Sequence, residues 1–381
     1  MRIAVNTRFL LHNRLEGIGT FSHQVLQRLV RQHPEHEFIF IFDRKWHEEF
    51  IYAENVIPVQ LFPQARHPLL FYWWFEWSVP KVLKQLKADF FFSPDGYLSL
   101  RAQIPQFPVF HDLAFEHYPE DVPGLASRHY RYYFPRYAKR AERLLTVSQF
   151  SKNDIVEQYG LAKDKIDVVY NAAGDHFAPI NATEAKKVKE VLSNGKEYFL
   201  YVGALHQRKN ITRLLKAYLK YLDYCHANQI VPKELLIVGR KAWGTQEMET
   251  VYEQNPALQE HVKFTGRLSD EELVRVTAAA YCHINVSYFE GFGIPILESL
   301  KCNVPVITSQ NTPMAKMSGE AALLVDPFNT GEIADAMVSM EANPALRHER
   351  MAHCARIATQ YSWQKTANLV WASFEKAGVL K

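Results

Sequence analysis

Carboxylates stand at both ends of the run Glu290-Gly291-Phe292-Gly293-Ile294-Pro295-Ile296-Leu297-Glu298. Each can accept hydrogen bonds from hydroxyls, and the two glycines between them let a backbone turn sharply and come close to a ligand. A second group is the adjacent cation pair in His206-Gln207-Arg208-Lys209-Asn210. Two cations at the start of a helix repel each other and the positive end of the helix dipole, a cost that an anion held between them offsets. Arg208 and Lys209 are therefore the strongest phosphate signal in the chain. A third group is His111-Asp112. An imidazole at that place can donate to a sugar oxygen or hold an acceptor; taken alone, the dipeptide also reads as a loop hydrogen bond.

These residues need elements to position them. Residues 281–286 form an apolar run that predicts a buried strand. Pro295 suits the first turn of a helix, so a helix follows the glycine loop and aims free N–H groups and a positive dipole end at whatever sits above. Glu290 is expected at the strand exit and Glu298 about one turn into the helix, both leaning over one pocket. The bland alternative is that Glu290 caps the helix and Glu298 is solvated. A strand over 198–203 and a helix over 211–227 flank Arg208 and Lys209, and a strand over 107–110 delivers His111 at its C-terminal end. Ligands of open α/β sheets bind outside such ends. Residues 3–6 read as the first strand, and Gly17 and Gly19 open a long helix carrying Phe21, Val25, Leu26, Leu29 and Val30 at helical spacing. That glycine pair admits a phosphate or sugar close to the backbone, or simply makes a tight turn. It lacks the third glycine of a dinucleotide fingerprint.

Further strands are predicted over 38–42, 88–92, 144–147, 235–238, 262–266, 304–308 and 321–325. Ser148 and Ser362 cap helices, and Ser269 with Glu272 makes a capping box. Residues 67–77 are dense in aromatics, with Leu69, Leu70, Phe71, Tyr72, Trp73, Trp74, Phe75 and Trp77, followed by Lys81, Lys84 and Lys87. Two readings stand: an aromatic helix facing the sheet with lysines on its wet side, or a patch resting on lipid headgroups. Residues 124–143 carry Arg128, Arg131, Arg136, Lys139, Arg140 and Arg143, either a solvated helix face or a surface for an anionic acceptor.

A chain of 381 residues calls for two cores. Its 44 Lys and Arg against 41 Asp and Glu, a net charge of +3, make nucleic acid an unexpected partner. Cys225, Cys282, Cys302 and Cys354 show neither metal-ligand spacing nor a CxxC pair and read as reduced thiols of a cytosolic protein. The N-terminus reads as a strand rather than a signal peptide, and no apolar run reaches spanning length.

Taken together, the strand, glycine loop and proline-started helix around Glu290 and Glu298, with Arg208-Lys209 and His111-Asp112, resemble the GT-B glycosyltransferases of family 4, a retaining family. The resemblance covers nearly the whole chain and is most specific over 198–327. It implies an α/β fold of two doubly wound Rossmann-like domains facing across a cleft: an acceptor-side domain over 1–180, a nucleotide-sugar domain over 181–360, and a helix over 361–381 packing back on the first. It implies roles as well. Glu290 would lie beside the donor sugar and Glu298 on the ribose. Arg208 and Lys209 would hold the diphosphate, with Gly291, Phe292, Gly293, Gly17 and Gly19 near the donor and His111 on its hexose. The expected activity is metal-independent transfer of a hexose, first mannose from GDP-mannose, to a glycan that is free or lipid-linked. Transfer from UDP-glucose or UDP-N-acetylglucosamine, epimerisation of a nucleotide sugar, and binding without turnover are the alternatives. A lipid-linked acceptor would add peripheral attachment at the inner face of the membrane to a cytoplasmic location. The chain departs from the family at Asn171-Ala172-Ala173, which moves a left-handed turn toward Gly174, and at Asn303, where glycine is usual.

Overall fold

The computed structural model describes residues 1–65, 67–242 and 244–380. Lys381 and the side chain of Leu69, both within expectations above, lie outside the described residues. The chain divides into two compact units, one of Met1–Asn171 with Ser362–Lys381 and one of Ala172–Tyr361.

In the first unit, apolar runs form β1 (Arg2–Asn6), β2 (Glu37–Phe42), β3 (Val56–Gln60), β4 (Phe90–Ser93), β5 (Gln106–Phe110), β6 (Leu144–Thr146) and β7 (Ile166–Val168). They make one parallel sheet in the order β3-β2-β1-β4-β5-β6-β7, with Ile3 opposite both Phe38 and Phe90. Continuous burial along β2, β4 and β5 is what a parallel sheet covered on both faces demands. The order reverses between β1 and β4, so the loops after these strands diverge there and leave a crevice at their C-terminal ends. Helix Trp363–Lys376 starts at Ser362, whose side chain accepts from Lys365 N–H. Phe374 packs on Phe90, Phe92 and Phe107, and Asp167 accepts from Ser373 at 2.7 Å and Lys376 at 3.0 Å.

The second unit repeats the plan with β8 (Tyr198–Val202), β9 (Glu234–Val238), β10 (Val262–Gly266), β11 (Cys282–Asn285), β12 (Val306–Ser309) and β13 (Ala322–Val325). Its parallel order is β10-β9-β8-β11-β12-β13, reversing between β8 and β11. The polar stretch near 181–195 is helix Ala182–Ser193, capped by Asn181, inside this unit. The Ser269–Glu272 capping box is present.

The aromatic segment divides between a buried and an exposed face. Residues 68–85 are helical with a π turn at Trp74–Ser78. Trp74, Phe75 and Val79 are buried against the sheet, while Tyr72, Trp73 and Trp77 are exposed. The basic helix is Gly124–Arg140, and two of its expected surface cations are tied down instead. Arg140 donates to the carbonyls of Ala102 and Ile104, and Arg143, beyond the helix, pairs with Asp167. The left-handed turn expected at Gly174 is not there, since its φ is not positive. Asn303 does take that conformation, with φ 59°, which Asn tolerates because its short polar side chain hydrogen-bonds locally.

Candidate functional site

At the reversal in the second sheet, β8 leads into a 3-10 turn, Gln207–Lys209, then into helix Ile211–Ala227. Asn210 joins them in the left-handed conformation, φ 64°. Its buried side chain donates to the carbonyls of Val286 (2.9 Å) and Pro327 (2.6 Å), and Tyr288 N–H donates to the Arg208 carbonyl at 3.2 Å. The cation loop is thereby clamped to the exit of β11.

The clamp brings Glu290 between the two cations. Arg208 Nη1 donates to the Phe289 carbonyl at 3.1 Å and to Glu290 Oε2 at 3.3 Å, and Lys209 Nζ donates to Oε1. Glu290 is 6% exposed. Burial by itself would raise its pKa, but Lys209 and Arg208, helped by a Ser287 hydrogen bond, hold it at about 2. The same cations act on His206: burial first, then Arg208 and Lys209, push it down to about 3, so the loop holds a neutral imidazole beside two charges. Sequence reasoning anticipated an outside anion between Arg208 and Lys209. The structure supplies an internal one.

Beyond Glu290, Gly293 has φ 102° and caps helix Ile294–Lys301, with Pro295 in its first turn. A Cβ at Gly293 would lie 2.7 Å from Met314 Cγ, so glycine is required both for the turn and for the close approach. Gly291 is buried. Phe292 is buried too and sets its ring edge-on to Tyr361 at 5.7 Å, which makes it an anchor for the loop rather than an open ligand surface. Glu298 is half-buried. Burial, then the Asp270 charge, push its carboxyl up to about 8, and it has no hydrogen-bond or ion-pair partner among the described residues. The two carboxylates expected to share one pocket thus differ sharply: Glu290 answers to Arg208 and Lys209, Glu298 to Asp270.

The other expected site residues lie in the first unit. His111, after β5, donates from Nε2 to the Pro94 carbonyl at 2.8 Å, and burial lowers its pKa. With Nε2 so engaged, a neutral ring offers Nδ1 as an acceptor of a hydroxyl hydrogen bond. Gly17 caps helix Ile18–Gln32 with φ 33° and open space around its Cβ position. Gly19 differs: a Cβ there would meet the Phe9 carbonyl oxygen at 2.8 Å, so its missing side chain serves packing within the unit.

Sequence reasoning missed Arg8 and Asp95, which follow β1 and β4 at the reversal of the first sheet. They form a buried ion pair at 2.6 Å, with the guanidinium over the rings of Phe9, Phe71, Phe75 and Tyr97. Their place just past adjacent strand ends was the available signal, visible only once β1 and β4 are known to be neighbours. Among the described residues, one grouping has the donors to hold a metal ion, the exposed His12, His47 and Glu49. It belongs to the first unit, whereas the Glu290 cluster belongs to the second.

Comparisons with known proteins agree with this fold. Residues 15–173 match the family model "Glycosyltransferase Family 4", and residues 182–358 match "Glycosyl transferases group 1". The chain is similar to the Escherichia coli O-antigen chain mannosyltransferase B, 28% identical over 74% of this chain and 73% of that one. It is also similar to the E. coli serotype-specific mannosyltransferase WbdA, 25% identical over 62% of this chain, but the match spans only 29% of WbdA. In structure it resembles a glycosyltransferase from Rickettsia africae, with TM-score 0.74 and 15% identity, covering 100% of this chain and 99% of the other.

Proposed function

The chain belongs to the family 4 glycosyltransferases of the GT-B fold, and on that premise we propose that it moves a hexose from a nucleotide sugar to a hydroxyl of a growing glycan. The observation that carries this reading is the Arg208–Lys209 pair at a helix start, held against Glu290 beside a glycine loop. A donor diphosphate entering there gives the two cations a second anion, which frees the Glu290 carboxylate to face the sugar. In the transfer, the bond from the anomeric carbon to the phosphate oxygen breaks and the bond to the acceptor oxygen forms on the same face. The departing phosphate oxygen takes the acceptor proton. Arg208 and Lys209 neutralise the leaving diphosphate, the task a metal would otherwise perform. Glu290 stabilises positive charge developing on the sugar ring. Glu298 accepts from the ribose hydroxyls, and His111 offers Nδ1 to a sugar hydroxyl.

The relatives named as mannosyltransferases favour GDP-mannose as donor; UDP-glucose or UDP-N-acetylglucosamine is the second reading. The test is a thermal-shift panel of GDP, UDP and ADP sugars without added metal. Ligand at 100 times its Kd stabilises by about 2.7 kcal/mol, a readily measured rise in melting temperature. A shift with one nucleotide class, lost in Lys209→Ala, supports the site. No shift with any class refutes it. Product analysis with the shifting donor then separates transfer from epimerisation, which releases a free epimer without acceptor.

A further inference from the structure

The helical segment 68–85 fills the core with one face and leaves aromatics on the other. Trp74 and Phe75 are fully buried, yet Trp73 is 56% exposed and Trp77 48%. Their rings stack at 6.0 Å, and Arg101 lies over Trp77 at 3.8 Å. Phe62, 68% exposed, is tied to the same surface, because Ser78 Oγ donates to its carbonyl at 2.7 Å. Across from it, helix Gly124–Arg140 exposes Leu125 and Tyr132. The two elements meet where Phe71 comes within 6.0 Å of His129, and on the second of them Tyr132 packs on Tyr133 at 4.9 Å. The stacked Trp73 and Trp77, with Phe62 tied to the same segment, form an exposed aromatic face, and Tyr72, Leu125 and Tyr132 add exposed apolar groups on the two helical elements. The folded unit does not need them: its core is filled from the opposite side.

Charge identifies the occupant. In residues 62–87 the only acid is Glu76, and residues 124–141 contain none. Glu76 is buried, with its carboxylate accepting from Leu100 N–H at 3.0 Å and Arg101 N–H at 3.1 Å, so it offers the surface no negative charge. Lys81, Lys84, Lys87, Arg128 and Lys139 are exposed, and none has an ion-pair partner among the described residues. Protein interfaces are depleted of lysine at their centres, whereas tryptophan and tyrosine beside lysine and arginine suit the headgroup layer of a bilayer. No helix among the described residues is long and apolar enough to cross a membrane.

We propose that this face docks the protein on an anionic lipid bilayer, the aromatic rings entering the headgroup layer while the lysines and arginines meet lipid phosphates. Each such cation near an anionic surface strengthens binding by about fivefold. The inference stands apart from the choice of donor, since none of these residues belongs to the Glu290 cluster.

The test is flotation of the full chain with phosphatidylcholine vesicles, with and without phosphatidylglycerol. The expected result is at least about tenfold stronger binding to the anionic vesicles, lost near 1 M salt, where screening acts over about 3 Å. Tryptophan emission should shift to the blue on binding. Trp73→Ser with Trp77→Ser should weaken binding about tenfold or more and leave the melting temperature unchanged, because both side chains are on the surface. Lys81→Glu with Lys84→Glu should remove the preference for anionic lipid. Equal binding to both vesicle types, or full binding by the tryptophan variant, overturns the proposal. Self-association abolished by the tryptophan variant, with no vesicle binding, overturns it in favour of a protein interface.

Discussion

Glu290→Gln should make the protein less stable, tighten its hold on a nucleoside diphosphate and abolish turnover, all at once. A carboxyl held at about 2 instead of 4.5 corresponds to about 3 kcal/mol, at about 1.4 kcal/mol per tenfold change in proton affinity. Removing one partner of a buried ion pair independently suggests about 3–5 kcal/mol. The lower end applies, because Arg208 is 23% exposed and Lys209 16%, so water takes over part of the lost interaction. The sign follows from the direction of the shift. A depressed carboxyl contributes stability above pH 4.5 and loses it as pH falls toward 2, so the gap between wild type and variant shrinks over that window. Urea unfolding at pH 7 and at pH 3.5 should therefore give a gap of about 3 kcal/mol narrowing to about 2 kcal/mol. With the Glu290 charge gone, the cations meet a diphosphate without that carboxylate competing for them. A gain of about 1.5 kcal/mol, roughly tenfold in Kd, is expected by calorimetry. An unchanged urea midpoint, or a diphosphate bound no more tightly, would refute Glu290 as the counter-charge of Arg208 and Lys209.

Glu298 should behave in the opposite sense. Its carboxyl is raised from 4.5 to about 8, so the folded state prefers it protonated and loses stability as pH rises between those values. Glu298→Gln should match wild type at pH 4 and exceed it by about 2–4 kcal/mol at pH 9; a gap that does not grow with pH in urea unfolding would contradict its burial. Gly293→Ala places a Cβ against Met314 at φ 102°. It should cost about 1–3 kcal/mol and lower the melting temperature measured by calorimetry, while the same change at exposed Gly124, whose Cβ position is open, should not.

Much of the local chemistry was legible in the chain itself. The apolar runs at β1, β8 and β11 are strands because both faces of a parallel sheet are covered, which leaves a continuous hydrophobic signature. Ser148, Ser269 and Ser362 mark helix starts through bonds to residues three positions on. Gly293 and Pro295 announce their turn by backbone limits that hold in any fold. Residue types and short spacings also identified the cations and the carboxylates separately.

Their partnerships were not legible. Glu290 meets Lys209 only because β8 and β11 are neighbours at the reversal of the second sheet. The same adjacency of β1 and β4 brings Arg8 to Asp95. Nothing local told Gly17 from Gly19, since the difference lies in whether the Phe9 carbonyl occupies the space beside them. Nor did composition tell which aromatics of 68–85 face the sheet, because a π turn shifts the helical register partway along. Sequence by itself determined the elements and the reactive groups, through forces that act over a few residues. Tertiary structure decided which charges neutralise each other and which rings stay in water, because strand order and burial are set by contacts between residues far apart in the chain.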